Sequence, residues 1–287
     1  MRVHHLNCGT MSPPLRRLVN GTGGLLDRGR MVCHCLLVES DDGLVLVDAG
    51  FGLADLRRPA EHLGRWFLRQ NRPLLDPAET AVRQVERLGH AAGDVRHIIV
   101  THLDVDHAGG LADFPHAEVH VSAAELAAAR HPATALERRR YRTAQWAHGP
   151  RWAEYGTGGD RWHGFTGVRE IPGLPGLLLV PLAGHTRGHT GVAVDTGREG
   201  AARWLVHAGD AYFHHDQLAP DRHRCPPGLR LFQSLMQADR AARLANLGRL
   251  RALAAGGAAE IFSAHDPVEL DRFRPATPDQ TAARPAL

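Results

Sequence analysis

Within the ten residues THLDVDHAGG, His102, Asp104, Asp106 and His107 gather four candidate metal ligands directly behind the apolar run HIIV, His97 to Val100. An apolar run of that kind reads as a buried strand, so the polar cluster falls in the loop that leaves it. Loops at strand ends are where open α/β sheets place their chemistry. Three more candidates follow in short turn-like contexts: His185 in AGHTRGHTG, Asp210 in HAGDAYF and His265 in FSAHD. In a chain with 20 histidines one cluster carries little weight, and the argument rests on the ordered set.

At 287 residues and 43% hydrophobic content, the chain can bury a sizeable core. Its 34 basic and 31 acidic residues are spread along the sequence, leaving a net charge of +3, so nucleic acid is not the expected partner. The run Arg138, Arg139, Arg140 reads as one solvated helix face and stays outside the candidate site. The four cysteines form no CxxC pair, and MRVHHLNCG has no apolar core of a signal peptide, so the expected compartment is the cytoplasm. Alternation puts Cys33 and Cys35 on one strand face as small buried groups, rather than as a metal clip. No apolar stretch approaches the ~20 residues needed to cross a bilayer.

Along the chain, VHHLN, CHCLLVES and GLVLVDAGFG read as strands, the last two joined by a hairpin at SDDG. Helical spacing runs from Leu56 to Leu75, and Asp76, Pro77 and Glu79 mark the start of a further helix. AEVHVS is a strand and AAELAAARH a helix. The aromatics Tyr141, Trp146, Trp152, Tyr155 and Trp162 of the following segment, together with Trp66, are candidates to roof a pocket. LLLVPL, HTGVAVDT and ARWLVHAGD give a second strand series, then LANLGRLRAL a helix and AEIFSAHD a last strand. Two strand-rich halves, each followed by helices, predict an α/β protein built as an αββα sandwich. One unit over 1–274 is expected, with a disordered tail over 275–287.

THLDVDHAGG, AGHTRGHTG, HAGDAYF and FSAHD, in this order, resemble the metallo-β-lactamase fold superfamily of hydrolases over roughly residues 1–270. The resemblance implies that His102 and His185 bind a first metal, that Asp106, His107 and His265 bind a second, and that Asp210 bridges them. It also implies that Asp48 in VDAG orients the metal loop. Such a site holds two divalent ions, zinc foremost, whose shared hydroxide attacks the substrate, making Asp106 and Asp210 the candidate catalytic carboxylates. His189, His207, His214, His215, Asp216 and Asp266 are expected to support the site or lie on the surface.

The superfamily loop is HxHxDH, and here Asp104 stands at its second histidine. If Asp104 ligates, a third carboxylate removes one positive charge from the site, which favours manganese or iron over zinc. Otherwise Asp104 only hydrogen-bonds beside a weakly filled site. Ligation predicts that Asp104→His strengthens zinc binding.

The compact layout resembles the lactonase and esterase branch, including acyl-homoserine lactone hydrolases. Hydrolysis of a lactone or simple ester, with a small molecule as partner, is therefore expected. The branch's assisting tyrosine position holds Phe213 here, with Tyr212 one residue away, so Tyr212 is not assumed catalytic. Two alternatives stay open: phosphoester or phosphotriester hydrolysis, for which Arg187 is the nearest cation by motif position, and a non-catalytic metal-binding sensor of the same fold.

Overall fold

A computed structural model describes residues 1–198 and 202–273. The expected tail over 275–287, and residue 274 before it, lie outside the described residues. Twelve strands are present among them. They are β1 (Arg2–Met11), β2 (Met31–Ser40), β3 (Gly43–Val47), β4 (Val95–Ile99), β5 (Glu118–Ser122), β6 (Arg151–Tyr155), β7 (Asp160–Trp162), β8 (Phe165–Ile171), β9 (Leu174–Pro181), β10 (Thr190–Asp195), β11 (Trp204–His207) and β12 (Ala259–Phe262). They form two six-stranded sheets, ordered β1-β2-β3-β4-β5-β6 and β12-β11-β10-β9-β8-β7.

Strand periodicity explains the layers. In β2 and β3, Leu36, Val38, Val45 and Val47 face inward against Leu177, Leu179, Val192 and Val194 of the other sheet. The alternate residues Cys35, Leu37, Leu44 and Leu46 face outward, under a layer that includes Val82, Val85 and Leu126 from helices. On the far side, Val180, Ala193 and Val206 meet Leu247, Leu250 and Leu253 of the helix Arg240–Ala255. Each fully buried aliphatic side chain contributes about 1.5–3 kcal/mol. The layers are the expected αββα sandwich.

β3 to β6 run parallel, as do β11 and β12, so their carboxyl ends collect at one edge of the sandwich. Asp48, Thr101, Asp210 and His265 all leave strands there, and the turn between β9 and β10 supplies His185. The helical stretch from Leu56 to Leu75 is instead broken into Leu53–Arg57, Pro59–His62 and Arg65–Asn71. Pro59 starts the second piece, where its missing N–H is harmless, and Gly64 takes φ 80° before the third. No helix among the described residues is long and apolar enough to cross a membrane.

Candidate metal centre

Asp48 anchors the loop that follows β4. Its carboxylate accepts from the Thr101 N–H at 2.7 Å, the Thr101 hydroxyl at 2.8 Å and His107 Nδ1 at 2.8 Å. Asp48 itself sits at φ 56°, a left-handed conformation uncommon for a residue with a side chain. Burial favours the neutral acid, but the His107 charge and hydrogen bond outweigh it and hold this carboxyl at about 2. The bond to Asp48 also fixes the His107 ring, leaving Nε2 as the free nitrogen. His265 Nδ1 is held by the Val32 carbonyl at 2.7 Å and His102 Nδ1 by the Thr101 hydroxyl at 2.9 Å, with the same effect.

All seven residues singled out in the sequence come together. Asp104 Oδ2 lies 3.1 Å from His185 Nε2 and 3.4 Å from His102 Nε2, while Asp210 Oδ2 lies 3.4 and 3.8 Å from the same two atoms. Ligand atoms on a tetrahedral ion with bonds of about 2.05 Å are spaced about 3.3 Å apart. Next to this group, His107 Nε2 and His265 Nε2 are 3.3 Å apart, and Asp210 Oδ1 is 3.4 and 3.1 Å from them. The Asp106 carboxylate closes this second group at 4.0 Å from His107 and 3.6 Å from His265. Asp210 thus turns one oxygen to each group.

These groups fit divalent cations. His102 Nε2, Asp104 Oδ1 and Asp210 Oδ1 are buried with no hydrogen-bond partner, an arrangement that destabilises a fold unless something coordinates them. Burial disfavours the charged forms, yet Asp210 and Asp48 push His107 well above the usual imidazole range, and Asp210 and Asp106 raise His265. An ion taken up here would displace protons.

One residue set aside from the sequence belongs here. Arg140 is buried, and its Nη1 lies 3.1 Å from Asp104 Oδ2. Its guanidinium also donates to the carbonyl oxygens of His185 and Met236. The run of arginines is therefore not one solvated face. Thr134 and Glu137 form a reciprocal capping box that starts the helix Ala135–Arg140, and i, i+3 spacing puts Glu137 and Arg140 on its buried face, while Arg138 and Arg139 point out. The signature TALE was a signal for this helix and its inner face. If Asp104 ligates, the Arg140 charge would return what a third carboxylate removes, which changes the expectation for Asp104→His: alone, that substitution would leave a buried cation without its carboxylate. Burial tends to raise the Asp104 carboxyl, but Arg140 and His102 hold it well below the usual range.

Glu125 is a second residue that motif reading missed. Fully buried, it accepts from Leu103 N–H at 3.1 Å, Gly188 N–H at 3.1 Å and the Tyr141 hydroxyl at 3.1 Å. It ties the metal loop to the His185 turn. A Cβ on Gly188 would come within 2.1 Å of the Glu125 backbone nitrogen, so this contact needs glycine.

Two of the histidines expected to support the site hold the turn that carries Asp210. His189 Nε2 accepts from the Asp210 N–H at 2.9 Å, and His207 Nδ1 accepts from the Gly209 N–H at 3.1 Å. His215 bonds Asp266, and with His214 and Asp216 it lies outside the seven-residue cluster. Cys33 is buried as expected, although its Sγ lies within 4.8 Å of ligand atoms of Asp106 and His265. Tyr212 turns into the outer core and donates to Glu269 at 2.8 Å, while Phe213 faces the cleft. Arg187 is half exposed and paired with Glu137 at 2.6 Å, away from the cleft wall.

That wall is made by Met11, Met31, Trp66, Phe67, Phe213, Phe232 and Met236, with Asn71, Arg139 and Arg140 at the polar end, around about 40 Å³. Of the aromatics expected to form a roof, Trp66 alone lines it. Tyr141 and Trp146 are core residues, Trp152 packs against the same core, and Tyr155 bonds His120. Trp162 stacks edge-on to Trp204 under the other sheet, because β6 and β7 belong to different sheets.

The family model described as the metallo-beta-lactamase superfamily matches residues 28–265. A "probable metallo-hydrolase" of Mycobacterium tuberculosis is 45% identical over 269 residues, covering 93% of this chain and 77% of the relative. An N-acyl homoserine lactonase of a Bacillus species is 28% identical over 193 residues, 66% of this chain and 69% of its own. The solved structure of an N-acyl homoserine lactone hydrolase with N-hexanoyl-L-homoserine bound superposes with a TM-score of 0.70 at 20% identity, covering 95% and 96% of the two chains. With the ordered motifs converging on one edge of the sandwich, the chain belongs to the metallo-beta-lactamase superfamily.

Proposed function

We propose that the protein, a metal-dependent hydrolase of this superfamily, holds two divalent ions and opens a lactone, or cleaves a simple carboxylic ester, carrying an apolar acyl group. His102, Asp104 and His185 would hold one ion and Asp106, His107 and His265 the other, with Asp210 turned to both groups. Bound there, such ions would supply Lewis acidity and a lowered pKa for water. The chain's own part is to fix the donors through Asp48, Glu125 and His189, and to exclude water with the apolar wall.

The observation that carries the substrate class is the wall itself: seven apolar side chains directly beside the cluster, with Arg140 already paired to Asp104. A neutral ester suits that wall better than a charged phosphomonoester. The lactonase relatives support the same reading. A phosphotriester, also uncharged, suits the same apolar wall and is the second reading.

The test is proton release from N-acyl-homoserine lactones of several chain lengths, with protein reconstituted separately with zinc and with manganese. Ring opening that disappears in Asp210→Ala supports the proposal. Inactivity with both metals at two ions per chain, alongside turnover of an aryl phosphotriester, overturns the ester reading. Inactivity towards every substrate at full occupancy leaves the sensor.

A further inference from the structure

Five residues before His102, within the strand itself, β4 carries a second group of metal-type side chains. His97 pairs with Glu118 of β5 and Ile99 with His120, so parallel register puts His97, Glu118 and His120 on one face. His97 Nδ1 is 3.0 Å from His120 Nε2. Glu118 Oε2 lies 3.9 Å from the first of these atoms and 3.8 Å from the second. These carboxylate separations are too long for hydrogen bonds. A point equidistant from the three atoms is about 2.1 Å from each, which is the bond length of a divalent transition-metal ion to imidazole and carboxylate.

The outer nitrogens are also prepared. His97 Nε2 faces Asp42 Oδ2 at 3.2 Å, and His120 Nδ1 faces the Tyr155 hydroxyl at 2.8 Å. Each ring thus has a partner for its other N–H, which orients the inner nitrogen towards the shared point. His120 is buried, and its burial together with the neighbouring His97 lowers it to about 4, so its ring is neutral at physiological pH. Glu118 is partly open to solvent, leaving room for water as a further ligand.

We infer that His97, Glu118 and His120 form a separate binding site for one divalent transition-metal ion, zinc being the probe, on the strand pair that carries the catalytic loop. Such an ion clamps β4 to β5. The site is independent of the reaction in the cleft.

The test uses untagged full-length protein whose cleft ions are already loaded, titrated with Zn2+ by calorimetry and analysed for bound metal. Wild type is expected to take up one more equivalent than either His97→Ala or Glu118→Gln, with hydrolase activity equal in all three. Both substitutions lie at partly exposed positions, and equal melting temperatures without added zinc show that they fold. Crystals grown with zinc should carry an anomalous peak between His97 Nδ1 and His120 Nε2. Equal stoichiometry in wild type and both variants, with no such peak, overturns the inference and leaves a hydrogen-bonded chain from Tyr155 through both histidines to Asp42.

Discussion

Removing the Arg140 guanidinium tests how this site tolerates its third carboxylate. At 3.1 Å and an effective dielectric of about 20, a unit charge pair attracts by about 5 kcal/mol. Breaking a buried pair by deleting one member destabilises by about 3–5 kcal/mol. His102 and His185 also face Asp104 Oδ2 and take over part of that attraction, so the lower figure applies. Arg140→Met should therefore lower the stability of the metal-free protein by about 3 kcal/mol. Urea unfolding in chelator, followed by fluorescence of the five tryptophans, measures it. Asp104→Asn should have an effect of similar size, since it strands the cation. The double variant should lose less than the sum of the two by about 2 kcal/mol or more. Additivity within about 0.5 kcal/mol would refute the idea that these two residues act as a compensating pair.

Zinc affinity should follow the same logic: Asp104→His alone is expected to weaken the first site at least tenfold, and Asp104→His with Arg140→Met to recover it, as read by competition with a chromophoric chelator. Tyr212→Phe should leave kcat and KM for any cleaved ester within twofold, because its hydroxyl serves Glu269 rather than the cleft; a tenfold fall in kcat would contradict that placement. Asp55 is fully buried, and burial pushes its carboxyl up to about 7. Its folded value lies above the unfolded one, so the native state holds the extra proton and stability falls as pH rises from about 4 to about 7. Asp55→Asn, whose amide can face His62 Nδ1 at 3.2 Å, should flatten that slope in denaturation curves across the window.

The clustering of the seven candidate residues was legible because each occupies a short string at a strand end or turn, where periodicity and residue type point to the same place. The αββα layering was legible because the apolar alternation of β2, β3, β9 and β10 survives in the sequence. Arg140 was not, since its role depends on which residue of an arginine run faces inward. That follows from the register of a helix set by Thr134 and Glu137, not from composition. Glu125 was hidden for a different reason: its three partners come from the loop after β4, the turn before β10 and the segment after Arg140, contacts that no local pattern encodes. The supposed aromatic roof failed because local spacing does not reveal that the chain changes sheets between Tyr155 and Trp162.

Met11, Met31 and Met236 are three of the chain's four methionines, and all three line the cleft. Unbranched thioethers re-pack around guests of different outline with little strain, whereas branched side chains hold one shape. The wall can therefore follow the outline of the guest that enters. On the proposed ester reading, discrimination among guests would fall to the polar end, where an ion pair and a hydrogen bond hold Arg140 against Asp104 and the His185 carbonyl. Along a ladder of acyl lengths, turnover in such a cleft would change by degrees, without the sharp cut-off of a stiff mould.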